Sequence, residues 1–409
     1  MLILIRAIFF AALVACSTGA LAQPTSDDKL RQFMEQVKPQ PAASQVGGNA
    51  ARAAAKLTPE LLQERGDLLK KGEAALAALQ LEPALLAFER AASILHAADT
   101  EIALVRTYMQ YGQYRRALAA GAHTAGAHLD VVGGSALYAW LLHMGAQTAV
   151  AQRLLTEAQT RMPGDTNIEQ VRQQLNGGTP LATGDLLNPP TRLAPYGVTQ
   201  DLPAAARVQG SAVLLPGGAQ ALVPLSLLPK PAKRAKLWLR NGLGLLAEGT
   251  VVKGLPAAGL ALVKLSHALP VPDDYWIADT EAFPGSPGYA VEYVTSPKTA
   301  KNVAPAWPIL RLGFLGGMVT PTGTDRLLGI DMPAGPLGGP VFGSAGQLIG
   351  VALKGKSGAA DQLVTVSRLQ KAIGQPLGAS MQKSAPTTST ADRIYENGLK
   401  VSLQVITAP

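Results

Sequence analysis

The chain has 409 residues, 47% of them hydrophobic and only 5% aromatic, which gives room for two or three domains with cores of their own. Its net charge of +8 comes from 36 basic against 28 acidic residues, and a single cysteine, Cys16, excludes an intrachain disulfide. A bilayer-spanning helix needs about 20 apolar residues, and no run in the sequence reaches that length.

Residues 1–22 read as a secretory signal peptide. Met1–Arg6 carries one positive charge, Ala7–Ala15 is apolar, and Ala20-Leu21-Ala22 offers a small-x-small cleavage site before Gln23. The expected location is therefore periplasmic or secreted. Leu13-Val14-Ala15-Cys16 also resembles the lipobox of bacterial lipoproteins, in which case Cys16 carries a lipid anchor at the outer membrane; both readings stand. Export argues against nucleic acid as the partner of the positive charge. The densest basic run, Lys230–Lys236, has only Trp238 nearby for base stacking. It reads as a solvated loop, or as a contact with an anionic membrane or cell-wall surface.

Residues 23–56, rich in Gln, Pro, Ala, Ser and Gly, read as a flexible leader broken by one helical pattern, Leu30–Val37. Thr58-Pro59 then has the form of an N-cap and first helical residue. Beyond it Leu61, Leu62, Leu68, Leu69, Leu76 and Leu79 recur at helical spacing. Ala84, Ala117 and Ala151 are 33 and 34 residues apart. Gly72, Val105 and Ala139 precede them at a constant interval, and Ala91, Thr124 and Ala158 follow at another. Small residues at such positions let paired helices pack closely, with Phe88 and Leu155 filling the gap between units. Residues 57–176 thus resemble three tetratricopeptide repeats, the central one degenerate at Gly121, with Asn167–Leu175 as a capping helix. The resemblance implies a protein- or peptide-binding face, for which Tyr108, Tyr111 and Arg115 are candidates beside Tyr114 and Arg116; ordinary packing is the other reading of these residues.

Residues 177–205 form a Gly/Pro/Thr linker, stiffest at Asn188-Pro-Pro190. Short β runs follow at Ser211–Leu215, Ala221–Leu228, Lys236–Arg240, Gly249–Val252, Leu260–Leu265, Tyr289–Val294, Ile309–Phe314, Leu327–Ile330 and Leu348–Leu353. Such spacing predicts an antiparallel sandwich or barrel over residues 206–376. Residues 377–409 read as a linker, a helical turn at Ala391–Asn397 and a strand in which Leu399, Val401, Leu403 and Val405 alternate with other residues. That strand is expected to join the barrel or a partner's sheet edge.

Several segments, in order, resemble trypsin-like and HtrA-like serine proteases: Gly210–Leu215, Leu260–Leu265, Gly285–Val291, Gly335-Pro-Leu-Gly-Gly-Pro-Val-Phe342 and Gly346–Val351. The resemblance implies a multidomain α + β chain in which all-α tetratricopeptide-like repeats precede an all-β trypsin-like double barrel. It also places a serine nucleophile, a histidine base and an orienting aspartate. At those positions the chain has Leu337, Ser226 (within one residue) and Gly259. No catalytic residue is therefore expected, and the chain reads as a pseudoprotease. Gly335, Leu337 and Gly338 remain as a binding loop, with Asp331 as the base of a specificity pocket or simply a turn acid; Ser344 reads as hairpin chemistry. The helical-region histidines, His96, His123, His128 and His143, read as scattered, His267 lies apart from the site, and neither a metal site nor a cofactor is expected. The function expected is that of a non-catalytic adaptor or scaffold of the cell envelope. The alternatives are a structural subunit of an envelope assembly, or a serine-type endopeptidase with a non-standard site.

Overall fold

The computed structural model describes residues 57–177, 185–199, 201–228, 236–294, 303–318, 326–355, 358–374, 377 and 388–408. The expected signal peptide, Cys16, the 23–56 leader with its Leu30–Val37 pattern, and the basic run up to Lys236 lie outside these residues. No helix among the described residues is long and apolar enough to cross a membrane.

Among the described residues seven helices come first: α1 (Pro59–Ala77), α2 (Leu81–Ile94), α3 (Ala98–Gln110), α4 (Tyr114–Ala127), α5 (Val132–Met144), α6 (Thr148–Arg161) and α7 (Thr166–Gly177). Thr58 caps α1 as its sequence predicts, its Oγ1 accepting from the Leu61 N–H at 3.3 Å. The helices pair in succession as α1–α2, α3–α4 and α5–α6. Each pair turns on one left-handed residue, at Leu79 (φ 59°), Gly112 (φ 71°) and Ala146 (φ 67°), so the period seen in the sequence is repeated in the backbone. Ala84, Ala117 and Ala151 have no exposed surface. A methyl at Gly72 would lie 2.5 Å from the Phe88 ring, which explains a glycine in the middle of α1.

Two antiparallel six-stranded sheets follow. The first is a closed barrel in the order β1-β12-β3-β4-β5-β2, formed by β1 (Arg207–Leu214), β2 (Gln220–Pro224), β3 (Lys236–Asn241), β4 (Leu246–Leu255), β5 (Leu260–Leu265) and β12 (Ser402–Ala408). The second has the order β7-β6-β9-β10-β11-β8, with β6 (Pro287–Glu292), β7 (Ile309–Phe314), β8 (Arg326–Leu327), β9 (Pro340–Phe342), β10 (Leu348–Leu353) and β11 (Gln362–Thr365). The chain beyond β7 curls back on β8: the Leu327 N–H donates to the Gly317 carbonyl at 2.9 Å, and Met318 bridges Arg326. The α + β class expected from sequence is the one observed.

Some elements differ from expectation. The run Ala221–Leu228 is not one strand: β2 stops at Pro224, which has no N–H to donate, and Leu225–Leu227 form a 3₁₀ turn. Strands β9 and β11 and helix α8 (Val366–Ile373) were not anticipated. The C-terminal alternation conceals a helix, α9 (Ala391–Val401), started by Thr390, whose Oγ1 accepts from the Arg393 N–H. Leu399 and Val401 belong to that helix, and the strand begins only at Ser402.

A single core runs from the helices into the barrel, taking in Ile102, Val105, Leu141, Leu222, Val263 and Leu403. Polar clasps secure the join. Gln110 of α3 gives its side-chain N–H to the carbonyls of Tyr196 and Leu243, and its Oε1 accepts from the Tyr196 N–H at 2.8 Å. Arg240 is wholly buried in β3; it donates to Gln404 Oε1 at 2.9 Å and to the Val303 carbonyl at 2.6 Å. Burial lowers its guanidinium to about 10.

Candidate functional site

Three turns from separate parts of the chain meet in one cleft of about 810 Å³. The first is Leu225–Leu227, where the break at Pro224 leaves Ser226 exposed and Leu227 buried. The second is Pro256–Ala258, ended by Gly259 in the left-handed region at φ 69°, a conformation that favours glycine. The Leu225 N–H donates to the Gly259 carbonyl at 2.9 Å and ties the two turns together.

The third turn, Gly335–Gly339, comes from the second sheet and crosses to β1. A Cβ on Gly338 would fall 2.0 Å from the Ser211 carbonyl oxygen, and one on Gly339 would fall 2.2 Å from that of Val291, so both glycines are demanded by close backbone approach. The loop is anchored by Glu292, whose Oε1 accepts from the N–H groups of Gly338 (3.1 Å) and Gly339 (2.7 Å). Burial raises this carboxyl to about 7, although hydrogen bonds from Ser211 and the two glycines favour its charged form. Sequence reading did not single out Glu292; its signal was a lone acid inside the apolar strand Ala290-Val-Glu-Tyr293.

Ser226, Gly259 and Leu337, assigned to one site by resemblance alone, all line this cleft, together with Gly335. Leu337 is almost fully buried and packs with Ala290, Ile330, Val341 and Leu363 in the core of the second sheet. Gly338 is buried behind it, and Asp331 is exposed and outside the lining. The remaining wall is mainly apolar, with Leu225, Leu227, Pro256, Pro336, Leu353 and Val364, and is edged by Lys354 and Arg368. Lys354 is paired with Asp361 at 3.0 Å. Among the described residues that line the cleft there is no histidine and no carboxylate. His267 is hydrogen-bonded to its neighbour Ser266, at 3.2 Å, and does not line the cleft.

The helical candidates are engaged within the molecule. Tyr108 is buried, with the Arg116 guanidinium 4.1 Å above its ring. Arg115 meets Glu396 of α9 through both its backbone N–H and its guanidinium, each at 3.0 Å. Tyr111 is partly exposed, and burial raises its hydroxyl above the usual value. The expectation of scattered histidines fails for three of four: His96, His123 and His128 converge on Glu101 because α2, α3 and α4 pack side by side. His143 stands alone, buried near Trp140 and bonded to Thr148 Oγ1 at 3.0 Å; burial, then the charge of Arg311, lowers it to about 4.

This chain is similar to solved protease structures. One is Deg5, at 16% identity over 42% of this chain and 88% of that one, with a TM-score of 0.31. The MamO protease domain from Magnetospirillum magneticum, apo form, has 16% identity over 42% and 98%, with a TM-score of 0.29. The Rv3671c protease, inactive form, has 15% identity over 43% and 90%, with a TM-score of 0.30. No protein-family profile and no curated protein sequence matches the chain.

Proposed function

We propose that this protein is a catalytically inactive adaptor of trypsin-like protease fold, which holds a protein or peptide segment in the cleft between its sheets. The observation that carries the reading is the convergence of Ser226, Gly259 and Leu337 on one open, mainly apolar cleft. A hydrolase of this kind needs a nucleophile, a base and an orienting acid at those positions. A leucine turned into the core supplies none of them. What remains is an apolar wall with glycine-shaped backbone, suited to an extended segment bearing apolar side chains. The helical pairs, read as tetratricopeptide-like, add a second surface for a partner. The proposed setting is the bacterial envelope, reached through the signal peptide.

The reading is tested with the purified full chain in two assays. A fluorophosphonate probe is expected to leave the protein unlabelled, and a library of unstructured peptides is expected to yield apolar ligands. Ala257→Trp, placed at the cleft wall, should abolish their binding while the unfolding midpoint stays unchanged. Labelling of the unaltered protein, or peptide binding that survives the filled cleft, would overturn the proposal.

A further inference from the structure

Three potential ligands, His96, Glu101 and His123, lie together in the helical region with His128 beside them, and none of the four lines the cleft. His96 is in the connection between α2 and α3, Glu101 in the first turn of α3, His123 in α4, and His128 at the residue that ends α4. Glu101 Oε1 is 2.5 Å from His96 Nε2 and 3.5 Å from His123 Nε2, and its Oε2 is 3.4 Å from His128 Nε2. The His96 ring centroid is 5.9 Å from that of His123 and 5.7 Å from that of His128. The three rings therefore surround the carboxylate from different directions.

These contacts do not form a hydrogen-bonded network. Both Glu101 carboxylate oxygens and His128 Nε2 are buried without a hydrogen-bond partner, even though the atoms lie this close. Buried polar atoms are ordinarily paired, and a buried carboxylate facing three imidazoles that do not donate to it is a set of lone pairs aimed at shared space. A single cation held by His96, Glu101 and His123 supplies the missing partner of that carboxylate.

We propose that His96, Glu101 and His123 form a binding site for one divalent transition-metal ion, with zinc the best fit and His128 beside them on the second carboxylate oxygen. An imidazole-rich set with one carboxylate suits borderline ions of the first transition row better than calcium or magnesium, which take oxygen ligands. A tetrahedral ion about 2.0–2.1 Å from each ligand places neighbouring ligand atoms about 3.4 Å apart. The His123 contact with Glu101 Oε1 is within 0.1 Å of that figure. The His96 contact with the same oxygen opens by rotation of a side chain that is 62% exposed. His123 is equally exposed, so the ion has a route from solvent. Three protein ligands from separate segments make the ion a clamp that fastens the α2–α3 connection to α4.

The test uses the full chain, purified without a polyhistidine tag, stripped with chelator and titrated with zinc sulfate in a calorimeter. One zinc per chain with a Kd below about 1 µM is expected, together with a rise in the thermal midpoint. Cobalt(II) should give the strong visible bands of a tetrahedral site. His96→Ala/His123→Ala alters two exposed positions, leaves the metal-free midpoint unchanged, and should weaken zinc binding at least about 100-fold. Glu101→Gln, which keeps all three imidazoles, should also weaken it. Absence of stoichiometric uptake, a Kd above the micromolar range, or affinity unchanged in the double variant would each overturn the assignment.

Discussion

Tyr114 of α4 meets Tyr395 of α9 edge-on, with ring centroids 4.5 Å apart and planes at 84°. Both rings are fully buried: Tyr114 donates to the Leu141 carbonyl at 3.0 Å, and Tyr395 to the Pro308 carbonyl at 2.7 Å. The contact joins the helical region to a helix that also packs on β6, so it should govern how the two halves unfold. Tyr395→Phe is expected to cost about 1 kcal/mol through the lost hydrogen bond. Tyr395→Ala should cost about 3–5 kcal/mol through the cavity. Urea unfolding followed separately by far-ultraviolet helicity and by tryptophan fluorescence checks this, and the alanine variant should split a single transition into two.

Glu292 gives the fold a pH dependence of known sign. Its carboxyl lies near 4.5 in an unfolded chain and at about 7 in the folded one. Between these values the folded state holds a proton that the unfolded state has released. The stabilisation is therefore complete below the unfolded value and is lost as pH rises through about 7. Comparison of Glu292→Gln with the parent at pH 5 and pH 8 should show about 2–3 kcal/mol less change in unfolding free energy across that range. Parallel curves for the two proteins would remove Glu292 from the account. His143 runs the opposite way, because its lowered value makes stability fall with pH below about 6.5.

Ala146 is a non-glycine residue at positive φ in the α5–α6 turn, where the equivalent turn of the α3–α4 pair has Gly112. Ala146→Gly should stabilise the protein by about 0.5–1 kcal/mol, because relief of the left-handed strain exceeds the added entropy of the unfolded chain. The reverse exchange, Gly112→Ala, should destabilise it. A Cβ there would lie 2.9 Å from Leu243 and 3.0 Å from Lys400 as well as being strained. Denaturant midpoints of the two variants moving in opposite directions is the expected result.

Leu337→Ser tests whether a nucleophile alone restores chemistry. The leucine is core, so the exchange should cost about 3 kcal/mol. The surviving folded fraction should still not react with a fluorophosphonate, since Ser226 and Gly259 provide neither base nor orienting acid. Rapid labelling of this variant would mean that another group serves as the base.

Local pattern made the barrel strands readable, because alternation and turn residues are short-range properties. Ala84, Ala117 and Ala151 could be picked out because one spacing rule sets their burial. Position in an ordered series led to Ser226, Gly259 and Leu337, and they meet in one cleft. The features missed were those set by contacts distant in sequence. Glu292 is assigned its task by glycines that cross from another part of the sheet. His96, His123 and His128 share no motif, and only the packing of successive helices unites them. The stretch 399–405 alternates evenly through a helix end and a strand start, so no period in it marks the change at Ser402.

Strand β12 lies between β1 and β3, with Ser211 opposite Gln404 and Leu239 opposite Val405. Every residue of the second sheet intervenes between those partners in the chain. The first barrel therefore cannot close before the second sheet has been synthesised. A chain stalled or cut after β11 presents two bare strand edges side by side, spaced for one added strand. Such an intermediate is a ready acceptor for a foreign β-segment, and the burden of guarding it falls on whatever accompanies the nascent protein.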